Sequence, residues 1–381
     1  MEQDGKGTFN NDKDTIISSK TNTASRNTVT IHTENKNDNV EVKLKDVNID
    51  GRSQNKAAVS VTGSGNTTIE LDGSNTLKSG SGHAGLEHNK TDTSGELTIQ
   101  DNDKNGSLKA AGGQYGAGIG GAGAANDAQV KITGGKITAT GGEYGAGIGG
   151  GFKGSGDVTI SGGEINATGG YLGAGIGGGE KGSGNVTITG GEIASATGGK
   201  YGAGIGGGKE GRGDVTIEGN TEVNAAGGTG GAGIGGGYGA KNNSNSTGNQ
   251  ITIRSNENGS PTVNAVGGGT KKGIADIGGA GIGTGCNSNA DTTITLEGKV
   301  TIKATAGKGN VAIGTNGNEQ VFTGLAGGTS ITRKDSDKND IPPLPGDNVP
   351  TPSGGDTAGG GSTGGGSAGG DSAGGGSTGG D

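Results

Sequence analysis

The chain has 381 residues, of which 96 are glycine, 26% are apolar and 2% are aromatic, a composition that taken without order excludes a conventional two-layer core. The formal net charge of −8 is spread along the chain without a basic stripe, which excludes a nucleic-acid backbone as partner. The single cysteine, Cys286, excludes an intrachain disulfide and has the weight of an incidental small side chain.

Residues 1–26 are polar, with no apolar run longer than Ile16-Ile17, so neither a signal peptide nor a membrane-spanning segment is expected there, and the segment is expected to be flexible. Beyond it the glycine has a period. Gly-Ala-Gly-Ile-Gly recurs with its isoleucine at Ile119, Ile148, Ile176, Ile205 and Ile234, spaced 28 or 29 residues apart, and again at Ile282 after a glycine-rich insertion. A repeat of about 29 residues implies a solenoid.

Each repeat holds three short apolar patches separated by glycine pairs, such as Val158-Thr159-Ile160, Ile165-Asn166-Ala167 and Ala174-Gly175-Ile176. Their two-residue alternation is that of strands, and the glycine pairs are corners. The first patch recurs as Val40/Val42, Ile69/Leu71, Leu97/Ile99, Val130/Ile132 and onward to Ile294/Leu296. The second runs from Val47/Ile49 through Leu77, Leu108 and Ile137 to Val300/Ile302, and the third from Val59/Val61 through Leu86 and Ile119 to Ile313. The pattern predicts an all-β fold, a right-handed parallel β-helix of about nine three-stranded coils over residues 27–335, with Val29-Thr30-Ile31 opening a partial coil. Such a coil needs only five or six small inward side chains because it stacks on a copy of itself. Helices are excluded by the density of glycine.

Residues 336–381 pass from Ile341-Pro-Pro-Leu-Pro through Pro350 and Pro352 to a run of Gly, Ser, Thr, Ala and Asp, and read as a disordered linker that tethers the module to something else.

The aromatic residues are concentrated. Tyr115, Tyr144, Tyr171 and Tyr201 fall at or beside one repeat position just before the third strand, and Tyr238 lies further on. Pointing outward, they make a ladder on which sugar rings can stack; stacked on each other, they seal a corner. The outward positions of the third strand are all glycine, including Gly147 and Gly175, so either a bare backbone face bordered by the tyrosines docks a polysaccharide or a second sheet, or the glycines only satisfy a tightly bent coil that alanine could not adopt. Asp157, Asn185 and Asp214 form one column in which a calcium ion between coils is conceivable beside a solvated polar rim; otherwise no cofactor or metal is expected. Arg212-Gly213-Asp214 reads as a corner before a strand. The outward first-strand pairs include only one Thr-x-Thr, Thr187/Thr189, and the charges among them break any array that could order ice.

Gly141 to Gly151 followed by Gly154 to Ile165, with the opening stretch Val42 to Gly51, resembles the repeats of pectate-lyase-like β-helix surface proteins of anaerobic Gram-positive bacteria, some of which are labelled carbohydrate-binding. The resemblance covers residues 40–325 and implies an extracellular or cell-surface location, a polysaccharide or a host or cell-surface glycan as partner, and a place within a larger surface protein, without membrane insertion. Enzymes on this fold cluster carboxylates with a histidine and a basic residue. Here His32, His83 and His88 all lie in the first coils and Arg26, Arg52, Arg212, Arg254 and Arg333 are scattered singly. No catalytic residue is assigned; the expected role is non-catalytic carbohydrate adhesion, then a structural stalk, then a polysaccharide lyase or hydrolase.

Overall fold

The computed structural model describes residues 15–345 except 20, 22, 125, 243–246, 270–277 and 316. Three sheets of ten, eleven and eleven strands run side by side along a right-handed parallel solenoid, and strands three apart in chain order neighbour each other in the same sheet. Nine coils contribute a strand to all three sheets, from Asn39–Lys45 at the start of the first to Ile313–Thr315 at the end of the ninth. The only helical element among the described residues is a single 3-10 turn, Arg52–Gln54, so no helix is long and apolar enough to cross a membrane.

The fifth coil shows how sequence becomes structure. Its strands are Gly156–Ile160, Glu164–Thr168 and Ile176–Gly177. Alternation sends Val158, Ile160, Ile165, Ala167 and Ile176 inward, where all are fully buried. Each registers on its counterpart in the sixth coil: Val186, Ile188, Ile193, Ala196 and Ile205. Burying each isoleucine contributes about 1.5–3 kcal/mol, which lets so sparse a core hold the coil. The step from a 28- to a 29-residue repeat is absorbed in the second sheet, where a bulge between Ile193 and Ala196 takes up one extra residue.

The third strand lasts only two residues because the glycine that ends it leaves the region open to other side chains: Gly149 has φ +128 and Gly177 φ +129. Close approach explains another glycine. A Cβ on Gly170 would lie 1.5 Å from the carbonyl oxygen of Gly142 in the preceding coil, so the corners touch backbone to backbone.

The register of the first coils differs from the apolar alignment. Val40 pairs with Thr67 and Val42 with Ile69, while Leu97 and Ile99 also pair with Thr67 and Ile69. In the second sheet Leu108 pairs with Asn75, and Leu77 pairs with Ala110. Thr67 and Asn75 are therefore inward residues, at 1% and 0% exposure, and an alignment by hydrophobicity alone slips by two past each of them. Asn75 is satisfied: Oδ1 accepts from the Val47 amide at 2.9 Å, and Nδ2 donates to the carbonyls of Asp72 and Ser107, each at 3.2 Å. The Thr67 hydroxyl has no hydrogen-bond partner among the described residues.

Both ends extend past the expected boundaries. Thr15–Ser18, inside the segment expected to be flexible, forms a strand that pairs in parallel with Val42 to Lys45, and Ser25 bridges to Ile49. Asp340–Ile341, inside the expected linker, pairs antiparallel with Arg333 and Lys334. Both additions occupy strand edges that would otherwise present unpaired amides and carbonyls, and Ile17 and Ile341 pack on the core as they do so. After the ninth coil Phe322 and Leu325 are buried and join the core. Over Phe322 lies the Arg333 guanidinium, 5.7 Å from the ring centroid, which bonds the Gln320 carbonyl at 2.9 Å and pairs with Glu319 at 3.3 Å. Residues 1–14 and 346–381, with most of the expected linker, lie outside the described residues.

Candidate functional site

The corner between the second and third sheets is built by backbone hydrogen bonds that place like positions over one another. The amides of Tyr115, Tyr144, Leu172, Tyr201 and Gly230 donate to the carbonyls of Ser81, Gln114, Glu143, Tyr171 and Lys200 in adjacent coils. In a parallel ladder each donor then sits over the residue after its acceptor. One column therefore runs Gly82, Tyr115, Tyr144, Leu172, Tyr201 and Gly230, with Tyr171 one residue earlier in its coil. The turn after the third strand supplies a second column: the amides of Phe152, Glu180, Lys209, Tyr238 and Cys286 donate to the carbonyls of Tyr115, Tyr144, Leu172, Tyr201 and Gly230.

Two aromatic groups result. Tyr115 and Tyr144 stack with centroids 5.1 Å apart and planes within 10°, and Phe152 meets both edge-on at 5.7 and 5.4 Å. Further along, Tyr201 contacts Tyr171 at 5.8 Å and Tyr238 at 5.1 Å. Lys200 sits over the rings of Tyr171 and Tyr201 at 5.4 and 5.2 Å and donates to the Tyr171 hydroxyl at 3.1 Å. That hydrogen bond holds the Lys200 ammonium above the ordinary lysine pKa, while Glu143 beside Tyr144 pushes the phenol of Tyr144 up. The four tyrosines singled out in the sequence thus share one corner and contact each other within two groups. They also reach the surface, Tyr115 at 36% exposure and Tyr171 at 48%.

The bare glycine face expected beside them is not a surface. Gly147 and Gly175 are buried, and a Cβ on Gly147 would lie 2.6 Å from the Gly175 carbonyl and 2.8 Å from the Thr168 amide. The chain leaving the second strand folds back over the short third strand: a Cβ on Gly141 would meet the carbonyls of Gly145 and Ala146 at 2.3 and 2.5 Å. The glycines permit that overlap and offer nothing to a partner.

The polar column is filled by protein cations. Asp157 accepts from Lys90 at 2.8 Å and from Asn185 at 3.1 Å, and Asp214 is paired with Arg212. That last pair folds the Arg212-Gly213-Asp214 tripeptide on itself. A closer gathering of carboxylates, unnoticed in the sequence, joins Glu70 to Asp101 and Asp103, whose oxygens lie within 4.8 Å of one another. The spacing Asp101-Asn102-Asp103-Lys104-Asn105-Gly106 is the signal that could have drawn attention to it. Loop amides already engage two of the three: Glu70 accepts from Asn102 N and Nδ2 at 2.8 and 2.9 Å, and Asp101 from Asn105 and Gly106 at 3.2 and 3.0 Å. Burial pushes the Asp101 carboxyl up, and the neighbouring Asp103 adds to it.

The three histidines have separate roles. His32 Nδ1 lies 3.0 Å from Thr62 Oγ1, and His83 Nδ1 lies 2.8 Å from Glu87 Oε2. His88 is buried between the Gly95 carbonyl, 2.9 Å from Nε2, and the Val61 carbonyl, 3.3 Å from Nδ1. Burial pushes its pKa down, and the neutral ring that results has one N–H, best given to the closer Gly95. His32 and His88 border a hydroxyl-lined cavity of ≈ 400 Å³ with Thr62, Ser64, Thr91 and Ser94. Several of its hydroxyls stitch the loops together, Ser64 to the Glu34 carbonyl at 2.8 Å and Ser94 to the Thr91 amide at 3.0 Å. Burial raises the Cys286 thiol.

Four consecutive segments, 130–152, 158–180, 186–209 and 215–238, match the family model described as beta helix repeat, and they cover the coils that carry most of the aromatic corner. The repeat thus recurs in four consecutive coils of a parallel β-helix. No curated protein and no solved structure matches the chain.

Proposed function

We propose that the protein is a non-catalytic β-helix, secreted or displayed on a bacterial surface, whose tyrosine-bearing corner binds carbohydrate. The observation that carries this reading is the aromatic ladder itself: Tyr115, Tyr144, Tyr171 and Tyr201 lie along one corner over four successive coils, and two of them are exposed. A pyranose presents an apolar C–H face and a hydroxyl rim, which suits a half-exposed ring bordered by polar groups such as Gln114, Glu143 and Lys200. The resemblance to β-helical surface proteins supports the same reading and the location. A plain stalk is the rival, favoured by the contacts the rings make with each other.

Affinity electrophoresis of the full chain through gels containing neutral polysaccharides separates the two. Retardation of the parent, lost when Tyr115, Tyr144, Tyr171 and Tyr201 are all replaced by alanine, is the expected result, with each ring contributing about 0.5–1.5 kcal/mol. Equal mobility of parent and variant in every gel refutes carbohydrate binding at this corner and leaves the stalk.

A further inference from the structure

The two ends of the tyrosine column are not alike. At the C-terminal end the column reaches Gly230, and the missing side chain there is replaced by the Tyr238 ring: a Cβ on Gly230 would lie 2.7 Å from Tyr238 Cδ2. Asn287 fixes that ring by donating to the Tyr238 hydroxyl at 2.6 Å. At the N-terminal end the column reaches Gly82, and nothing fills its place, since a Cβ there would have no atom within 4 Å. Tyr115, the next residue of the column after Gly82, is stacked on Tyr144 and meets Phe152 edge-on.

Tyr115 and Tyr144 each lie against the other and against Phe152, while further along Lys200 covers Tyr171 and Tyr201 and Lys153 sits 5.1 Å over Phe152; among the described residues no cation covers Tyr115. Around the opening the side chains are polar. Ser81 and His83 flank Gly82, and Gln114, next to Tyr115, donates to Glu143 at 2.9 Å. His83 gives its Nδ1 to Glu87, and its Nε2 has no hydrogen-bond partner among the described residues. Two carboxylates, Glu87 and Glu143, accept from the side chains beside the opening, His83 and Gln114.

Resting on the carbohydrate-binding reading, we propose that the space over Gly82 is the principal subsite of the corner and takes one neutral pyranose ring, stacked on the free face of Tyr115 with its hydroxyls directed at Ser81, His83 and Gln114. Binding is then polar along the solenoid. The strongest contact lies at the N-terminal end of the ladder, and Tyr201 contributes little.

The test uses the full chain titrated calorimetrically with cellohexaose, mannohexaose and xylohexaose, and with the hexamer of galacturonic acid as the acidic counterpart. Expected is binding of at least one neutral hexamer in preference to the acidic one. Gly82→Leu, which fills the opening, and Tyr115→Leu should each weaken it about fivefold or more, while Tyr201→Leu weakens it less than about twofold. Circular dichroism checks that each variant keeps its fold; if Gly82→Leu does not fold, the contrast between Tyr115→Leu and Tyr201→Leu decides alone. Equal losses at Tyr115 and Tyr201, or unchanged affinity in a folded Gly82→Leu, overturn the subsite and leave the ladder as a binding surface. Preference for the acidic hexamer overturns the neutral specificity. Absence of binding to every hexamer and to the polysaccharide gels overturns both the subsite and the reading beneath it.

Discussion

Coils four to seven and coils one to three share the same sheets, yet they fill the interior by different means. The central coils repeat valine, isoleucine and alanine at fixed inward positions, such as Val158, Ile160, Ile165, Ala167 and Ile176, and their corners are glycine packed on glycine. The early coils use larger and mixed residues: Leu44, Leu71, Leu86, Leu97 and Leu108 beside Thr67, Asn75 and His88, all buried. In the first region order comes from backbone contact between identical neighbours, which tolerates no added atom. In the second, close glycines such as Gly95 and Gly113 remain, but leucines fill the interior and buried polar residues such as Asn75 add side-chain hydrogen bonds. The same architecture is therefore fragile at its glycines throughout and, in the early coils, at buried polar groups as well.

Gly170→Ala should break the central mode. Its Cβ would fall 1.5 Å from the Gly142 carbonyl, so two coils have to part, and a loss above about 4 kcal/mol in urea unfolding is expected, in the exceptional range for one substitution. The same change at Gly82 meets no atom within 4 Å and should leave the midpoint within about 0.5 kcal/mol of the parent.

The early mode is probed by a pair of substitutions with opposite signs. Asn75→Ala removes the acceptor of the Val47 amide and should cost about 1–3 kcal/mol, whereas Thr67→Val removes a buried hydroxyl that has no partner and should stabilise by about 1 kcal/mol. Thermal unfolding of both variants reads the signs; destabilisation by Thr67→Val contradicts the inward register of that residue.

The smallest effect expected is a pH dependence from His88. Its pKa in the folded chain lies below the 6.5 of the free side chain, so above 6.5 the ring is neutral in both states and its full contribution to stability is present. As pH falls through 6.5 the unfolded chain takes up the proton first, and stability is lost until the folded value is reached. Melting temperatures of the parent should therefore fall as pH drops below 6.5 more steeply than those of His88→Gln, and parallel curves contradict a neutral His88 in the fold.

The repeat was legible because isoleucine and glycine recur at a fixed spacing, and that spacing alone predicts nine coils and three sheets. Register in the second coil was not, because Thr67 and Asn75 point inward and apolar matching passes over them. The tyrosine corner could be located from the repeat, yet the contacts among the rings depend on Phe152 and Tyr238, which arrive from a different turn of the coil. The face assigned to Gly147 and Gly175 failed for a related reason. Alternation tells which way a residue points from its strand, and it says nothing of a neighbouring segment that folds over it. Thr15–Ser18 and Asp340–Ile341 are too short to announce themselves as strands; the open sheet edges that recruit them exist only once the coils have formed.

The backbone stacking of Gly142, Gly170, Gly199 and Gly228, each of the later three poised 1.5 Å from its predecessor's carbonyl by the same measure, has a consequence for how such a molecule changes over generations. A central coil meets the same surface above and below, so duplicating or deleting one whole coil restores every contact type while lengthening or shortening the solenoid by one strand spacing of about 4.8 Å. Loss or gain of a single residue within a strand has no such escape unless a bulge like that at Ile193 absorbs it, whereas the turns between strands take insertions such as the one before Ile282. Reach is thus a quantity that gene duplication can adjust in whole steps.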